Sequence, residues 1–227
     1  MSSRLITALD TASLDQAVGW ARLVAPHSAL LKIGLEFFLS HGPAGVAAIN
    51  QRPVFLDLKL HDIPNTVAGA VRSVLPLGPA MLTLHASGGG AMIRAAREAA
   101  DGGKNPPLLL AVTVLTSFDA AGLASVGMLG TPLAQVLRLA EVALAAGADG
   151  LVCSAHEVAA LRAAFGPEPV LVVPGIRPAG AAVADQARTM TPAGAVEAGA
   201  NFLVVGRPIT TASDPGAAAQ DIALQAA

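Results

Sequence analysis

The stretch Val54-Phe55-Leu56-Asp57-Leu58-Lys59-Leu60-His61-Asp62-Ile63-Pro64-Asn65-Thr66 decides how the chain is read. Its first part is an apolar, strand-like run of the kind buried on both faces, yet it carries two charges two residues apart. Side chains in a strand alternate faces, so Asp57 and Lys59 share one face while Leu56, Leu58 and Leu60 fill the other. Pro64 and Asn65 then signal a turn into a helix, with Asp62 just past the strand. Placing a carboxylate and an ammonium in an apolar layer costs on the order of several kcal/mol per ion unless they are paired and hydrogen-bonded. The bland reading is a structural ion pair that sets strand register. Lysine usage speaks for the other: only Lys32, Lys59 and Lys104 occur, and the first two lie inside the apolar runs Leu30-Leu31-Lys32-Ile33 and Leu58-Lys59-Leu60.

Working outward, comparable apolar runs recur at Leu5-Leu9, Ala29-Ile33, Met81-His85, Leu108-Val114, Gly150-Cys153, Val170-Val173 and Phe202-Val205. Ala-rich helical stretches lie between them, among them Ser13-Leu23, Asn65-Val74, Ala91-Ala99, Pro132-Ala146, His156-Phe165 and Thr191-Ala198. Eight continuous apolar strands alternating with helices predict an α/β fold, a (β/α)8 TIM barrel. No Gly-rich or Ser-rich linker divides residues 1–227, and a single domain is expected.

Composition narrows the function. The 14 Lys+Arg against 16 Asp+Glu leave no broad basic face for nucleic acid, which points to a small-molecule partner. No uninterrupted apolar run approaches 20 residues, and Leu5 to Leu9 is too short for a signal-peptide core, so a cytoplasmic protein is expected. The single Cys153 cannot form an intramolecular disulfide or a zinc cluster by itself and reads as a small buried residue.

Barrel enzymes take their catalytic groups from the C-terminal strand ends. Polar residues collect there: Asp10 after strand 1, Lys32 in strand 2, Asp57 and Lys59 at strand 3, His85 at strand 4, Thr116 and Ser117 after strand 5, Arg177 after strand 7 and Arg207 after strand 8. Each has an ordinary reading too. Asp10 precedes a short capping box, Ser13-x-x-Gln16, and can serve helix initiation alone. His85 is read as a satisfied core histidine, His61 as pointing away from Lys59, Glu36 as a solvated first-turn acid, and Asp185 with Arg188 as loop-holding residues. Val204-Val205-Gly206-Arg207-Pro208 combines a glycine amide that can approach an anion with a guanidinium able to grip it, at a strand end where barrels often hold phosphate. The 174–191 stretch is long for a βα connection and carries Arg177 and Gln186, which suggests a lid.

From Asp57 to Val67 the chain resembles the signature of the orotidine 5'-phosphate decarboxylase family. The resemblance extends to Ala8-Leu9-Asp10, Leu31-Lys32-Ile33-Gly34, Leu84-His85-Ala86, Val152 to Glu157, Pro174 to Pro178, Asp185-Gln186 with Thr191-Pro192, and Val204 to Thr210. Asn201-Phe202 departs from it, where an acidic residue and tyrosine are commoner. The resemblance implies a cofactor-free, metal-free conversion of orotidine 5'-monophosphate (OMP) to UMP by a tetrad of Lys32, Asp57, Lys59 and Asp62, with Lys59 as proton donor. It further implies substrate contacts from Asp10, Ile63, Thr66, Thr116, Arg177, Gln186, Gly206 and Arg207, and a homodimer in which Asp62 and Thr66 reach the partner's site. The alternative is a Mg2+-dependent keto-sugar-phosphate decarboxylase or synthase sharing the Asp-x-Lys-x-x-Asp pattern. That group carries a glutamate where this chain has Lys32, whose ammonium would repel a metal. A catalytically dead nucleotide sensor has little reason to keep Lys59.

Overall fold

The structure, a computed structural model, describes residues 3–178 and 190–227. Eight parallel strands close into a barrel in sequence order: β1 (Leu5–Ala8), β2 (Leu30–Gly34), β3 (Val54–Leu60), β4 (Met81–His85), β5 (Leu108–Val112), β6 (Gly150–Val152), β7 (Val170–Val173) and β8 (Phe202–Val205). The expected (β/α)8 architecture is present. β8 pairs back onto β1, Leu5 against Leu203, so no strand edge is left open.

Around the barrel run α1 (Leu14–Val24), α2 (Leu35–Ala48), α3 (Pro64–Val74), α4 (Gly89–Asp101), α5 (Ala120–Ser125), α6 (Pro132–Ala145), α7 (Val158–Phe165), α8 (Pro192–Glu197), α9 (Arg207–Thr210) and α10 (Pro215–Gln225). Their inner stripes follow helical spacing: Ala17, Ala21 and Val24 on α1, and Val67, Val71 and Val74 on α3, are buried against the outward side chains of the strands. Ser13 caps α1 by accepting from the Gln16 amide. The return half of the expected capping box is rerouted, because the Gln16 side-chain Oε1 accepts from Thr11 Oγ1 and that hydroxyl accepts from the Ser13 amide.

The barrel interior is filled by Ile6, Ala8, Leu30, Phe55, Met81, Leu110, Val172 and Val204. This inner plug is apolar, and the polar inward positions come one step later on the strands, toward the mouth. The opposite rim is tied by polar links of structural kind. Asp149 accepts from the Leu109 amide and from Arg97, and Asn201 Oδ1 accepts from the Leu171 amide at 2.7 Å and from Arg162 at 2.6 Å. The unusual Asn201 therefore joins β7 and β8 at their N-terminal ends, where residues of a barrel serve stability.

Candidate active site

Strand β3 carries a register shift. Leu56 pairs with Leu82 and Leu60 with Leu84, so β3 spends two residues more than β4 over the same span. Lys59 takes up the excess with φ 49°, the one non-glycine positive φ among the described residues. A left-handed lysine is uncommon, and such backbone persists only where its surroundings hold it. Here Thr83 does so: its Oγ1 accepts from the Lys59 amide at 2.9 Å and donates to Asp57 Oδ1 at 2.9 Å. Strict alternation predicted the shared face of Asp57 and Lys59; the actual route to it passes through this bulge.

The side chains meet at the mouth. Lys59 Nζ lies 2.7 Å from Asp57 Oδ1, Lys32 Nζ lies 3.4 Å from Asp57 Oδ2, and Lys32 Nζ donates to Asp10 Oδ1 at 2.9 Å. The result is an alternating chain, Asp10, Lys32, Asp57, Lys59. Gly34, at the end of β2, leaves room for it, since a Cβ there would come within 3.0 Å of Asp10 Oδ1 and 3.1 Å of Lys32 Nζ. Asp10 thus does more than help α1 begin.

Burial by itself would lower the Lys32 pKa, but the Asp57 and Asp10 carboxylates outweigh it and leave the ammonium above its ordinary value. Burial would likewise raise Asp57; Lys32, Lys59 and the Thr83 hydroxyl outweigh it and hold the carboxyl below its ordinary value. Both groups are therefore held in their ionised forms near neutral pH.

A cavity of about 320 Å³ opens above this chain, lined by Asp10, Lys32, Asp57 and Lys59 on one side and by Thr116, Arg177, Gly206 and Arg207 on the other. Charges from β1, β2 and β3 face the loops after β5, β7 and β8 across one volume of ligand size. Arg177 is largely buried, and its amide donates to the Met190 carbonyl. Ser117 is exposed and does not line the cavity. Cys153 is a buried part of the cavity wall, and burial pushes its thiol pKa far up, as suits a packing residue.

Three predicted residues stand apart from this cavity. Asp62, Ile63 and Thr66 are exposed, Ile63 to 68%, and none lines it. Asp62 Oδ1 accepts from the Ile63 amide, and among the described residues Asp62 makes no ion pair, so within one chain Lys59 has Asp57 as its carboxylate partner. Gln186, together with Asp185 and Arg188, lies outside the described residues.

One expectation needs correction, and one residue was missed. His85 is half-buried, not a core histidine, because it ends β4 at the mouth, where its ring lies against the exposed His61 with centroids 5.4 Å apart. Burial first, then His61 and Lys59, hold its pKa below the ordinary value against the pull of Asp57. Thr83 was not singled out from sequence at all; a threonine in a strand is an ordinary choice.

A family model, orotidine 5'-phosphate decarboxylase / HUMPS, matches residues 3–222. The chain is 60% identical over 224 residues to orotidine 5'-phosphate decarboxylase of Anaeromyxobacter dehalogenans, covering 98% of this chain and 97% of that one. It is 55% identical over 225 residues to the Gluconobacter oxydans enzyme of that name, covering 97% and 95%. The crystal structure of orotidine 5'-phosphate decarboxylase from Lactobacillus acidophilus superposes with a TM-score of 0.88 at 38% identity, over 99% of each chain. Matches of this length and identity, on a barrel whose mouth gathers these charges, mean that the chain belongs to the orotidine 5'-phosphate decarboxylase / HUMPS family.

Proposed function

We propose that this chain decarboxylates OMP to UMP in pyrimidine biosynthesis, as a single-domain barrel and without a cofactor. The observation that carries the reading is the Asp57 carboxylate held between two ammonium groups at the floor of the cavity. Loss of CO2 from carbon 6 of the pyrimidine leaves an electron pair there with no conventional sink. Charges already in place where that pair develops, in a site closed to water, are the available stabilisation.

In this scheme the bond between carbon 6 and the carboxyl carbon breaks and CO2 departs. The Lys59 ammonium stabilises the remaining pair and donates its proton to carbon 6, regaining one later from solvent. Asp57 faces the departing carboxylate, and their repulsion is relieved as CO2 leaves. Lys32 and Asp10 hold the network and contact the ribose. Thr116 and Arg177 serve the pyrimidine and loop side, while Gly206, Arg207 and Gln186 grip the phosphate. Phosphate binding far from the scissile bond can drive closure of the site and so raise the rate as well as the affinity. The whole must remove on the order of 20 kcal/mol from the barrier, which no single residue supplies.

A Mg2+ enzyme of the same family is the second reading. Its metal would need Asp57, whose Oδ1 is taken by Lys59 and Thr83 and whose Oδ2 faces Lys32. That arrangement of cations favours the metal-free reading.

The proposal includes a homodimer with shared sites. Residues 61–66 form an exposed row after β3, and Asp62, Ile63 and Thr66 do not line their own cavity. A two-fold pairing would carry each row to the other chain's site, completing both at once. A cytoplasmic location goes with the reading, since substrate and product are phosphorylated and do not cross bilayers unaided. The test is Lys59→Ala: kcat should fall by about ten-thousandfold or more, the joint loss of a charge and a proton donor, while UMP still binds. Wild-type turnover in that variant would contradict the assignment.

A further inference from the structure

Thr83 has no place in the chemistry above, yet it touches both central groups of the network. It is fully buried at the inward-facing position two residues after Met81 of the apolar plug. Its single hydroxyl is used twice, accepting from the Lys59 amide and donating to Asp57 Oδ1, each at 2.9 Å. The two bonds fix the direction of the hydroxyl proton. Asp57 is an acceptor only, so the proton points at Asp57 and the lone pair is left for the amide.

We infer that Thr83 is the positioning residue of the charge network: its hydroxyl pins the Lys59 backbone in its left-handed bulge and fixes the facing rotamer of Asp57, so that ammonium and carboxylate are aimed together. This rests on the decarboxylase reading of the site and deepens it. Between Leu56 and Leu60 the β3–β4 ladder is interrupted, and the Lys59 amide depends on this side chain for its partner. An amide left without one has reason to rotate away, and the φ of 49° would relax with it. The Lys59 side chain would then start from a different direction. Misplacement of a reacting group by about 1 Å can lower a rate by about a hundredfold. The donated bond also favours ionised Asp57, in the direction of its lowered pKa.

The experiment compares wild type, Thr83→Val and Thr83→Ser, with OMP as substrate and UMP as the binding probe. Thr83→Val removes the hydroxyl and nearly keeps the shape. Its kcat should fall about tenfold to a hundredfold, with KM and UMP affinity changed less than about threefold, since aim is lost and the binding loops are not. The acid limb of its kcat/KM profile should move to higher pH, because Asp57 loses a bond that favoured its charge. Thr83→Ser should restore both kcat and the acid limb. If Thr83→Val does not fold, Thr83→Ala is compared with Thr83→Ser in its place. Unchanged kcat and acid limb in the variant lacking the hydroxyl, or a serine variant no better than it, would overturn the positioning role while leaving an active wild type and its assignment intact. A wild type inactive on OMP would overturn the underlying reading and this inference with it.

Discussion

Asp57 is the residue on which the site turns, because two ammonium groups and a hydroxyl converge on one carboxylate. Removing its charge leaves Lys32 and Lys59 facing each other in a largely buried place. Asp57→Asn is expected to lower folding stability by about 3 kcal/mol, the scale for breaking one side of a buried pair. The pH dependence follows from the two shifted groups. A depressed carboxyl contributes stability that is present above its unfolded value, about 3.9, and is lost as pH falls through the lower folded value; a raised ammonium contributes below about 10.4 and loses it as pH rises through the higher folded value. Asp57 and Lys32 therefore both contribute fully from about pH 5 to 9. Urea unfolding should show the gap between wild type and Asp57→Asn narrowing as pH drops below about 4, where Asp57 of the unfolded chain takes up a proton while the folded carboxylate still resists it. A gap constant from pH 2 to 7 would mean the carboxylate is not held as described. Asp57, Lys59 and Lys32 were legible in the sequence because charges inside apolar runs stand out. Thr83 and the ring contact of His61 with His85 were not, since threonine suits any strand and no local pattern says which ring a histidine will meet.

Strands were legible almost to the residue, since each is a short apolar run bounded by polar or turn residues. What escaped were features fixed by tertiary closure. β3 runs on to Leu60 through its bulge although no glycine or asparagine marks the left-handed position, because Thr83 on a neighbouring strand holds it. Helix α2 was not singled out, since Gly42 (φ 57°) and Pro43 break its periodicity with a kink. Gly150, which opens β6, is another such point. A Cβ there would run into the Val170 carbonyl oxygen of β7, a backbone atom held in the ladder. Gly150→Ala should therefore destabilise the protein by about 3 kcal/mol, the upper range for overpacking, read as a lower urea midpoint. A midpoint within error of wild type would show that the β6–β7 contact is looser than this.

At the scale of the whole molecule, a near-neutral chain closes an apolar barrel and keeps its costly charges at one mouth, with Asp62, Ile63 and Thr66 directed outward beside it. Shared sites make a distinctive demand. Lys59→Ala and Asp62→Ala dimers are each expected to be inactive. After subunit exchange in equal amounts, about a quarter of wild-type activity per subunit should return, since half the dimers are mixed and one of two sites in each is complete. No recovery with exchange verified would contradict sharing. The central claim is a decarboxylation driven by fixed side-chain charges alone. Its most direct test is the loss of OMP absorbance with protein stripped by EDTA, repeated after adding Mg2+. Rapid conversion to UMP, equal with and without metal, is the expected result. No conversion of OMP, together with Mg2+-dependent turnover of a keto-sugar phosphate, would contradict it and give Lys32 a different role.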